Sequence, residues 1–209
     1  MEDNVLSDEA LVERARKGNR DAFGALVLRY QSQAVLIAQG VLRNFELAKD
    51  ASQNAFTKAY FGLKHFRGAA KFKTWLFRIV VNEAKDTYRR EKSRGRFKLW
   101  SSRESENDEE ESILEVIPSQ DLSPREVFEK QEIRKRLEEA MNKLPERERG
   151  VFILRYLHDL SLEEVAETLS IAVGTVKAHL SHGTEKLKSI LHEPARNHEL
   201  SENAREAWS

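Results

Sequence analysis

The sequence contains no cysteine among its 209 residues. This absence excludes disulfides, thiolate metal sites and cysteine nucleophiles together, and it is typical of a protein in a reducing compartment. The longest apolar runs, such as residues 34–38, are far shorter than the roughly 18–20 residues that span a bilayer. No charged-then-apolar leader opens the chain. We therefore expect neither membrane insertion nor secretion.

The chain has no overall excess of either charge sign, because 35 Lys and Arg balance 35 Asp and Glu. The charges are nevertheless segregated: residues 1–98 have a net charge of +9 and residues 99–129 a net charge of −8. Residues 101–112 contain no aliphatic or aromatic side chain, so they cannot bury enough surface to offset their ordering entropy. The sequence predicts two small domains, 1–98 and 130–193, joined by an acidic flexible linker at 99–129. The tail, 194–209, has no assigned role.

Apolar residues recur at helical spacing throughout both domains, and no window alternates with a period of two between hairpin turns. Gly18 and Asn19 mark a break between two helices, a loop is predicted over 66–72, and another helix begins near Pro145. We therefore predict an all-α fold.

The second domain carries the pattern of a helix-turn-helix over 161–180. Ser161 and Glu164 form a capping box, 170–172 form a short turn, and a second helix begins near Val173. One stripe of that helix is apolar; the opposite stripe is polar and consists of Thr175, His179, His182 and Lys186. This pattern is typical of a helix that reads the major groove of DNA. The alternative is a helical hairpin with a solvated polar face. His179 and His182 lack a third metal ligand at suitable spacing, so we predict no metal site.

The first domain carries a basic segment between residues 64 and 98, with 12 Lys and Arg and three acids. A polar stripe at helical spacing runs through Thr74, Arg78, Asn82, Lys85 and Arg89. Aromatic residues are interleaved with the charges, namely Phe66, Phe72, Trp75 and Phe77. Cations beside aromatics suit single-stranded nucleic acid better than an intact duplex. The alternative is a solvated basic face with the aromatics in the core.

Three blocks of these residues together resemble the extracytoplasmic-function (ECF) group of bacterial sigma factors in the sigma-70 family. Residues 21–30 and 50–60 resemble its regions 2.1 and 2.2, residues 66–82 resemble regions 2.3 and 2.4, and residues 144–180 resemble region 4. The likeness covers residues 5–98 and 125–192, with only the acidic linker between the two domains.

The resemblance implies a promoter-specificity factor in the bacterial cytoplasm, without enzymatic activity or cofactor. Its implied partners are the β and β′ subunits of core RNA polymerase, promoter DNA and an anti-sigma factor. Core polymerase would contact Asp50, Gln53, Asn54, Thr57, Lys58 and Phe61. The opened −10 element would contact Phe66, Arg67, Lys71, Lys73, Trp75, Arg78, Asn82, Lys85 and Arg89. The duplex −35 element would contact Gly174, Thr175, Lys177, Ala178, His179, Ser181, His182 and Lys186. The linker would enter the basic channels of the polymerase.

Four departures from the family pattern affect these expectations. Asn54 replaces the usual Glu, which alters the polymerase contact, and His179 and His182 replace frequent Arg, which weakens phosphate attraction. Leu76 stands beside Trp75 in place of a second aromatic, so we expect weaker promoter melting. Ser170 occupies the turn position usually held by Gly, at a cost of about 1–2 kcal/mol if its backbone is left-handed.

Two other classes of function compete with this interpretation. A two-domain helix-turn-helix regulator would bind DNA without engaging polymerase. Such a regulator would not need the exposed polar helix face that the sequence predicts over 46–62. An enzyme is disfavoured because the sequence has no Gly-rich phosphate loop, H-E-x-x-H or G-x-S-x-G motif.

Overall fold

The computed structural model describes residues 6–94, 136–137 and 139–192. Within these ranges the chain forms helices and turns and no strand, which confirms the all-α prediction. The predicted acidic linker at 99–129 and the tail at 194–209 lie outside the described residues.

The first half of the structure, residues 6–94, contains four α-helices. Helix α1 spans Asp8–Arg16, α2 spans Arg20–Leu42, α3 spans Phe45–Gly62, and α4 spans Phe72–Ser93 after a 3₁₀ turn at Leu63–His65. The side chains of Ser7, Asn19 and Asn44 cap the first three helices by accepting hydrogen bonds from backbone N–H groups. The predicted break between α1 and α2 is confirmed, because Gly18 adopts a left-handed φ of +93° there.

Helices α2, α3 and α4 pack against one another around a stripe of alanines on α3. These alanines are fully buried, and they are Ala48, Ala51, Ala55 and Ala59. Small side chains on this stripe allow the backbones of the neighbouring helices to approach closely. Larger residues of α2 and α4 fill the rest of the core, including Leu26, Leu76 and Phe77. The side of α3 opposite the alanine stripe consequently faces outward.

The second half, residues 139–192, contains the predicted helix-turn-helix. Helix α5 spans Glu146–Phe152 and continues as a π-helical turn at Ile153–Leu157; α6 then spans Leu162–Leu169 and α7 spans Val173–His192. The capping box of Ser161 and Glu164 opens α6 as predicted. Helix α6 ends at Ser170, whose backbone adopts the left-handed conformation with φ 56° and ψ 48°. Val165 of α6 and Val176 of α7 are fully buried between the two helices and the rest of the core.

The two halves are in contact with each other, which the sequence did not predict. Val151, Ile153 and Leu154 from α5 and the π-helical turn belong to the same hydrophobic core as the apolar residues of α2 and α4. The Nε atom of Arg149 donates a hydrogen bond of 2.8 Å to the carbonyl of Gly40 in α2. A continuous core therefore joins segments that the linker separates along the chain.

His158 lies at this junction and is only 3% exposed. Its ring centroid is 5.5 Å from that of Phe77 in α4, and its carbonyl accepts a hydrogen bond of 2.6 Å from the Lys73 ammonium. Neither ring nitrogen has a hydrogen-bond partner among the described residues. Burial, reinforced by the positive charge of Lys73 and partly opposed by Asp159, lowers the pKa of His158 from 6.5 to about 4.

Acidification should destabilise this packing through His158. Because the neutral imidazole is the form that is buried, its contribution is fully present above pH 6.5 and is lost as the pH falls toward 4. We expect the free energy of unfolding to fall by about 1–2 kcal/mol between pH 7 and pH 5 through this group. Urea unfolding of the wild type and of His158→Phe at both pH values measures this loss. The loss should shrink in His158→Phe and persist in His65→Phe, since His65 is exposed; equal losses in all three would contradict the assignment.

Replacing Ser170 by glycine should stabilise the protein. A non-glycine residue in the left-handed region carries a steric cost, so we expect Ser170→Gly to raise the free energy of unfolding by about 1 kcal/mol. The matched control is Ser32→Gly at an exposed position inside α2, where the same change should lower stability by about 0.5–1 kcal/mol. Urea unfolding compares the two, and a loss of stability in Ser170→Gly would show that the serine side chain itself stabilises the turn.

Candidate nucleic-acid interface

Helix α4 presents the predicted basic stripe, with one correction. Asn82 and Arg89 are exposed, and Arg78 and Lys85 are partly exposed. Thr74 was placed on the same stripe, but this was wrong, because its side chain is only 1% exposed. Thr74 lies at the edge of the stripe, within about 20° of the buried Val81 around the helix axis, and it is turned toward the core.

The four aromatic residues near this stripe divide into two pairs. Phe72 and Phe77 are buried, so for these two the alternative that the aromatics lie in the core is the correct one. Phe66 and Trp75 are partly exposed, and their ring centroids are 4.9 Å apart. The loop between them contains the exposed Arg67 and begins the surface that leads onto α4. An unpaired base could stack only on Phe66 and Trp75 among the four.

The outward side of α3 carries all six residues predicted to contact polymerase. Each of them is exposed, and they are Asp50, Gln53, Asn54, Thr57, Lys58 and Phe61. Phe61 is 68% exposed, which is unusual for a large apolar side chain. The buried alanine stripe on the opposite side of the helix fixes this orientation. The structure thus brings the six residues together on one accessible face.

Helix α7 presents the residues predicted to read duplex DNA on its accessible side. Gly174, Lys177, Ala178, Ser181, His182 and Lys186 are exposed. Thr175 is also exposed and His179 is partly exposed, and both line a cleft between the two halves that Lys85 and Arg89 of α4 line as well. Four of the residues predicted to bind nucleic acid therefore lie around one cleft.

Three of the predicted DNA contacts of the first half are engaged by the second half. Lys71 lies 3.0 Å from a carboxylate oxygen of Glu164, and Arg78 lies 3.8 Å from one of Glu167. Lys73 donates to the carbonyl of His158. These acidic partners on α6 were not recognised from the sequence, since Glu164 was interpreted only as a capping residue. No sequence signal pairs them with cations so distant along the chain.

Glu164 serves both the helix cap and the contact with the first half. One carboxylate oxygen accepts a hydrogen bond from the Ser161 N–H, and the other pairs with Lys71. Partial burial would raise the pKa of Glu164, but the hydrogen bond from Ser161 and the nearby Lys71 ammonium outweigh it, so that this pKa lies below its ordinary value. Glu164 therefore carries its negative charge throughout the neutral range.

The described part of the chain contains no group of three or more histidines or carboxylates arranged to hold a metal ion. Within the same residues, no helix is long and apolar enough to cross a membrane.

Comparison with known proteins identifies the two halves separately and the chain as a whole. Residues 26–94 match the family model for sigma-70 region 2, and residues 134–187 match that for sigma-70, region 4. The ECF RNA polymerase sigma-E factor of Escherichia coli is 35% identical over 182 residues, which cover 87% of this chain and 93% of that protein. The ECF RNA polymerase sigma factor SigW of Bacillus subtilis is 31% identical over 86% of this chain and 94% of that protein.

The chain belongs to the ECF RNA polymerase sigma factors. We accordingly call its first half, residues 6–94, region 2, and its second half, residues 139–192, region 4. Two solved structures share the fold at 23% identity. CnrH in complex with the cytosolic domain of CnrY has a TM-score of 0.60 over 88% of this chain and 96% of that one. The sigma factor RpoE of Bartonella quintana in complex with the anti-sigma factor NepR has a TM-score of 0.57 over 81% and 96%.

In this sigma factor a buried acid, Glu83, joins the α3 face to the basic helix α4. Its carboxylate is 4% exposed and pairs with Lys58 of α3 and, at 3.2 Å, with Arg90 of α4. From the sequence, Glu83 was only one of three acids in a basic segment. The signal that could have identified it is its spacing from Leu76 and Val80, which places it on the apolar face of α4.

Neutralising Glu83 should cost more stability than neutralising an exposed acid on the same helix. Glu83→Gln leaves the two cations without their shared counter-charge, and we expect a loss of about 1–3 kcal/mol in the free energy of unfolding. Asp86→Asn is the matched control; its pair with Arg89 is 3.3 Å long and solvent-exposed, so that we expect a change below about 0.5 kcal/mol. Urea unfolding measures both, and equal losses would contradict a special role for Glu83.

Proposed function

We propose that this sigma factor binds core RNA polymerase through the outward face of α3 and promoter DNA through both regions. Region 2 holds the opened −10 element on the surface formed by residues 66–71 and α4. Region 4 reads the −35 element as duplex DNA with α7. The factor acts in the cytoplasm, where it directs polymerase to its promoters and helps to open them, and it performs no chemistry of its own.

The exposed face of α3 is the observation that supports binding to polymerase. Its six polar and aromatic residues lie together on the surface, and Lys58 among them also pairs with the buried Glu83 of α4. A helix-turn-helix regulator that never engages polymerase would not need an exposed polar face on α3. Membership in the ECF family, at 35% identity to a sigma-E factor, supports the same partner.

The −10 part of the proposal is supported by charge beside exposed aromatic rings. Phe66 and Trp75 form a pair of partly exposed rings at the start of α4, next to the cations Arg67 and Lys71. Stacking on rings and neutralisation of phosphates are the two interactions by which proteins hold a single strand. In contrast, α7 belongs to a helix-turn-helix and carries groups that can donate hydrogen bonds to base edges of a duplex.

One further partner and a role for the linker are proposed from the family alone. An anti-sigma factor holds the protein inactive until a signal arrives. The linker at 99–129, with its net charge of −8, enters basic channels of the polymerase in the manner of nucleic acid.

A runoff transcription assay with purified core polymerase tests the proposed function. Genomic fragments, including the region upstream of the gene for this factor, serve as templates. We expect transcripts with discrete start sites only when both the core enzyme and the factor are present. Failure to bind core polymerase in the absence of any inhibitor would overturn the proposal, and binding to DNA without core polymerase would favour the regulator.

Truncating Phe61 should weaken core binding without affecting stability. Removal of an exposed aromatic anchor at an interface reduces affinity by about tenfold or more. The matched control is Leu28→Ala on α2, because Leu28 is 72% exposed but lies outside the proposed face. Binding of labelled factor to core polymerase, with thermal unfolding measured alongside, compares the two variants. Equal affinities of Phe61→Ala and Leu28→Ala would exclude Phe61 from the interface.

A further inference from the structure

A buried aromatic ring, that of Phe72, supports the two rings on which we expect a base of the −10 strand to stack. The centroid of Phe72 lies 6.2 Å from that of Phe66 and 5.8 Å from that of Trp75. Phe72 is buried, whereas the other two rings are partly exposed and contact each other. The position of this exposed pair therefore depends on where Phe72 lies.

Tyr30 of α2 contacts Phe72 inside the core. The Tyr30 ring is buried, and its centroid lies 5.9 Å from that of Phe72 and 6.0 Å from that of Phe77. The Tyr30 and Phe77 rings meet edge to face, which is a favoured geometry for aromatic pairs. Because protein interiors are close-packed, a shift of the Tyr30 ring would displace Phe72 as well.

A carboxylate of α1 holds the Tyr30 ring from its polar end. The Tyr30 hydroxyl donates a hydrogen bond to Asp8, in the first turn of α1. The other carboxylate oxygen of Asp8 accepts from the Arg29 guanidinium, which also donates, at 2.7 Å, to the carbonyl of Leu6. Burial, reinforced by the hydrogen bond to Asp8, raises the pKa of Tyr30, so that its hydroxyl remains a donor.

The hydrogen bond between Tyr30 and Asp8 restricts the ring more than apolar packing alone would. Hydrogen bonds to an ionised carboxylate are roughly twice as strong as those between neutral groups. A phenylalanine at position 30 would fill nearly the same volume, but its ring would have no directional contact with α1. Buried polar networks whose members are paired fix one arrangement of a core. The hydroxyl of Tyr30 therefore contributes position in addition to packing.

From these contacts we propose that Tyr30 and Asp8 are positioning residues for the −10 strand. The hydrogen bond holds the Tyr30 ring in place, and this ring holds Phe72. Phe72 in turn sets the distance and angle of Phe66 and Trp75. Neither positioning residue needs to touch DNA. This proposal rests on the proposed function, since it takes the exposed ring pair as the platform for an unpaired base.

The chain offers matched variants for both positioning residues. Tyr30→Phe removes the hydroxyl and keeps the ring, and Tyr156→Phe makes the same change at an exposed position of region 4. Asp8→Ala removes the acceptor, whereas Asp8→Asn retains an oxygen that can accept from Tyr30. Glu9→Ala is the control for the loss of charge, because Glu9 is exposed in the same turn of α1. Circular dichroism and thermal unfolding verify that each variant is folded.

The measurement separates stacking from phosphate attraction in the full-length factor bound to core polymerase. Fluorescence anisotropy reports binding to two probes: a single strand of deoxyadenylate, and a strand of equal length made of abasic nucleotides. Core polymerase alone provides the background for each. The ratio of the two affinities isolates stacking, because the abasic strand carries phosphates without bases. A loss of folded protein lowers both affinities by the same factor, so a merely structural effect leaves the ratio unchanged.

We expect Phe66→Ala to lower the ratio by about tenfold, since it removes one stacking ring. Tyr30→Phe and Asp8→Ala should each lower it by about threefold, and Asp8→Asn should lower it less, because the amide oxygen still accepts. In a chain that carries both Phe66→Ala and Trp75→Ala, Tyr30→Phe should cause no further loss. Residues that act through one shared group are not additive.

Three results would overturn the positioning role. These are an unchanged ratio in Tyr30→Phe while Phe66→Ala lowers it, an equal loss in Tyr156→Phe, or a further loss from Tyr30→Phe in the chain that lacks both exposed rings. Failure of the proposed function has a different signature. In that case the factor does not bind core polymerase, or Phe66→Ala and Trp75→Ala leave the ratio unchanged.

Discussion

The alanine stripe of α3 is the constraint on which region 2 depends. Ala48, Ala51, Ala55 and Ala59 are fully buried where α2 and α4 close on α3. Side chains of this size let three helices share one tight core, and any larger residue on the stripe would separate them. The same constraint determines which residues of α3 are accessible, because a helix with one side buried in the core must present its remaining residues outward. The exposed α3 face and the position of α4 beside it both follow.

The contact between regions 2 and 4 is of a different kind from the core of region 2. Arg149 is 2% exposed and donates one hydrogen bond to Gly40, but its Nη1 atom has no partner among the described residues. Both ring nitrogens of His158 are equally unsatisfied. Buried polar groups that regain water on exposure reduce the net stability of an interface. Apolar packing of Ile153 and Leu154 thus stabilises the contact between the regions, while the unsatisfied polar groups reduce its net stability.

Sequence reasoning succeeded where the signal was local. The break between α1 and α2, the capping box of α6 and the helix-turn-helix all depend on residues within a few positions of one another. It failed where burial depends on distant partners. Thr74 was placed on the basic stripe, but its side chain is buried in the core that α4 forms with α2. Glu83 was counted only among the acids of the basic segment, and its burial depends on Lys58, which lies on another helix and pairs with its carboxylate.

The sequence by itself determined the helices, their caps, the family and the residues of the candidate surfaces, because helical periodicity and family motifs are properties of short segments. Only the tertiary structure decided which of those surfaces are accessible. Glu164 meets Lys71 and Arg149 meets Gly40 across separations of about one hundred residues. Contacts between residues so far apart in the chain cannot be predicted from helical periodicity, because they depend on how the two folded halves pack against each other.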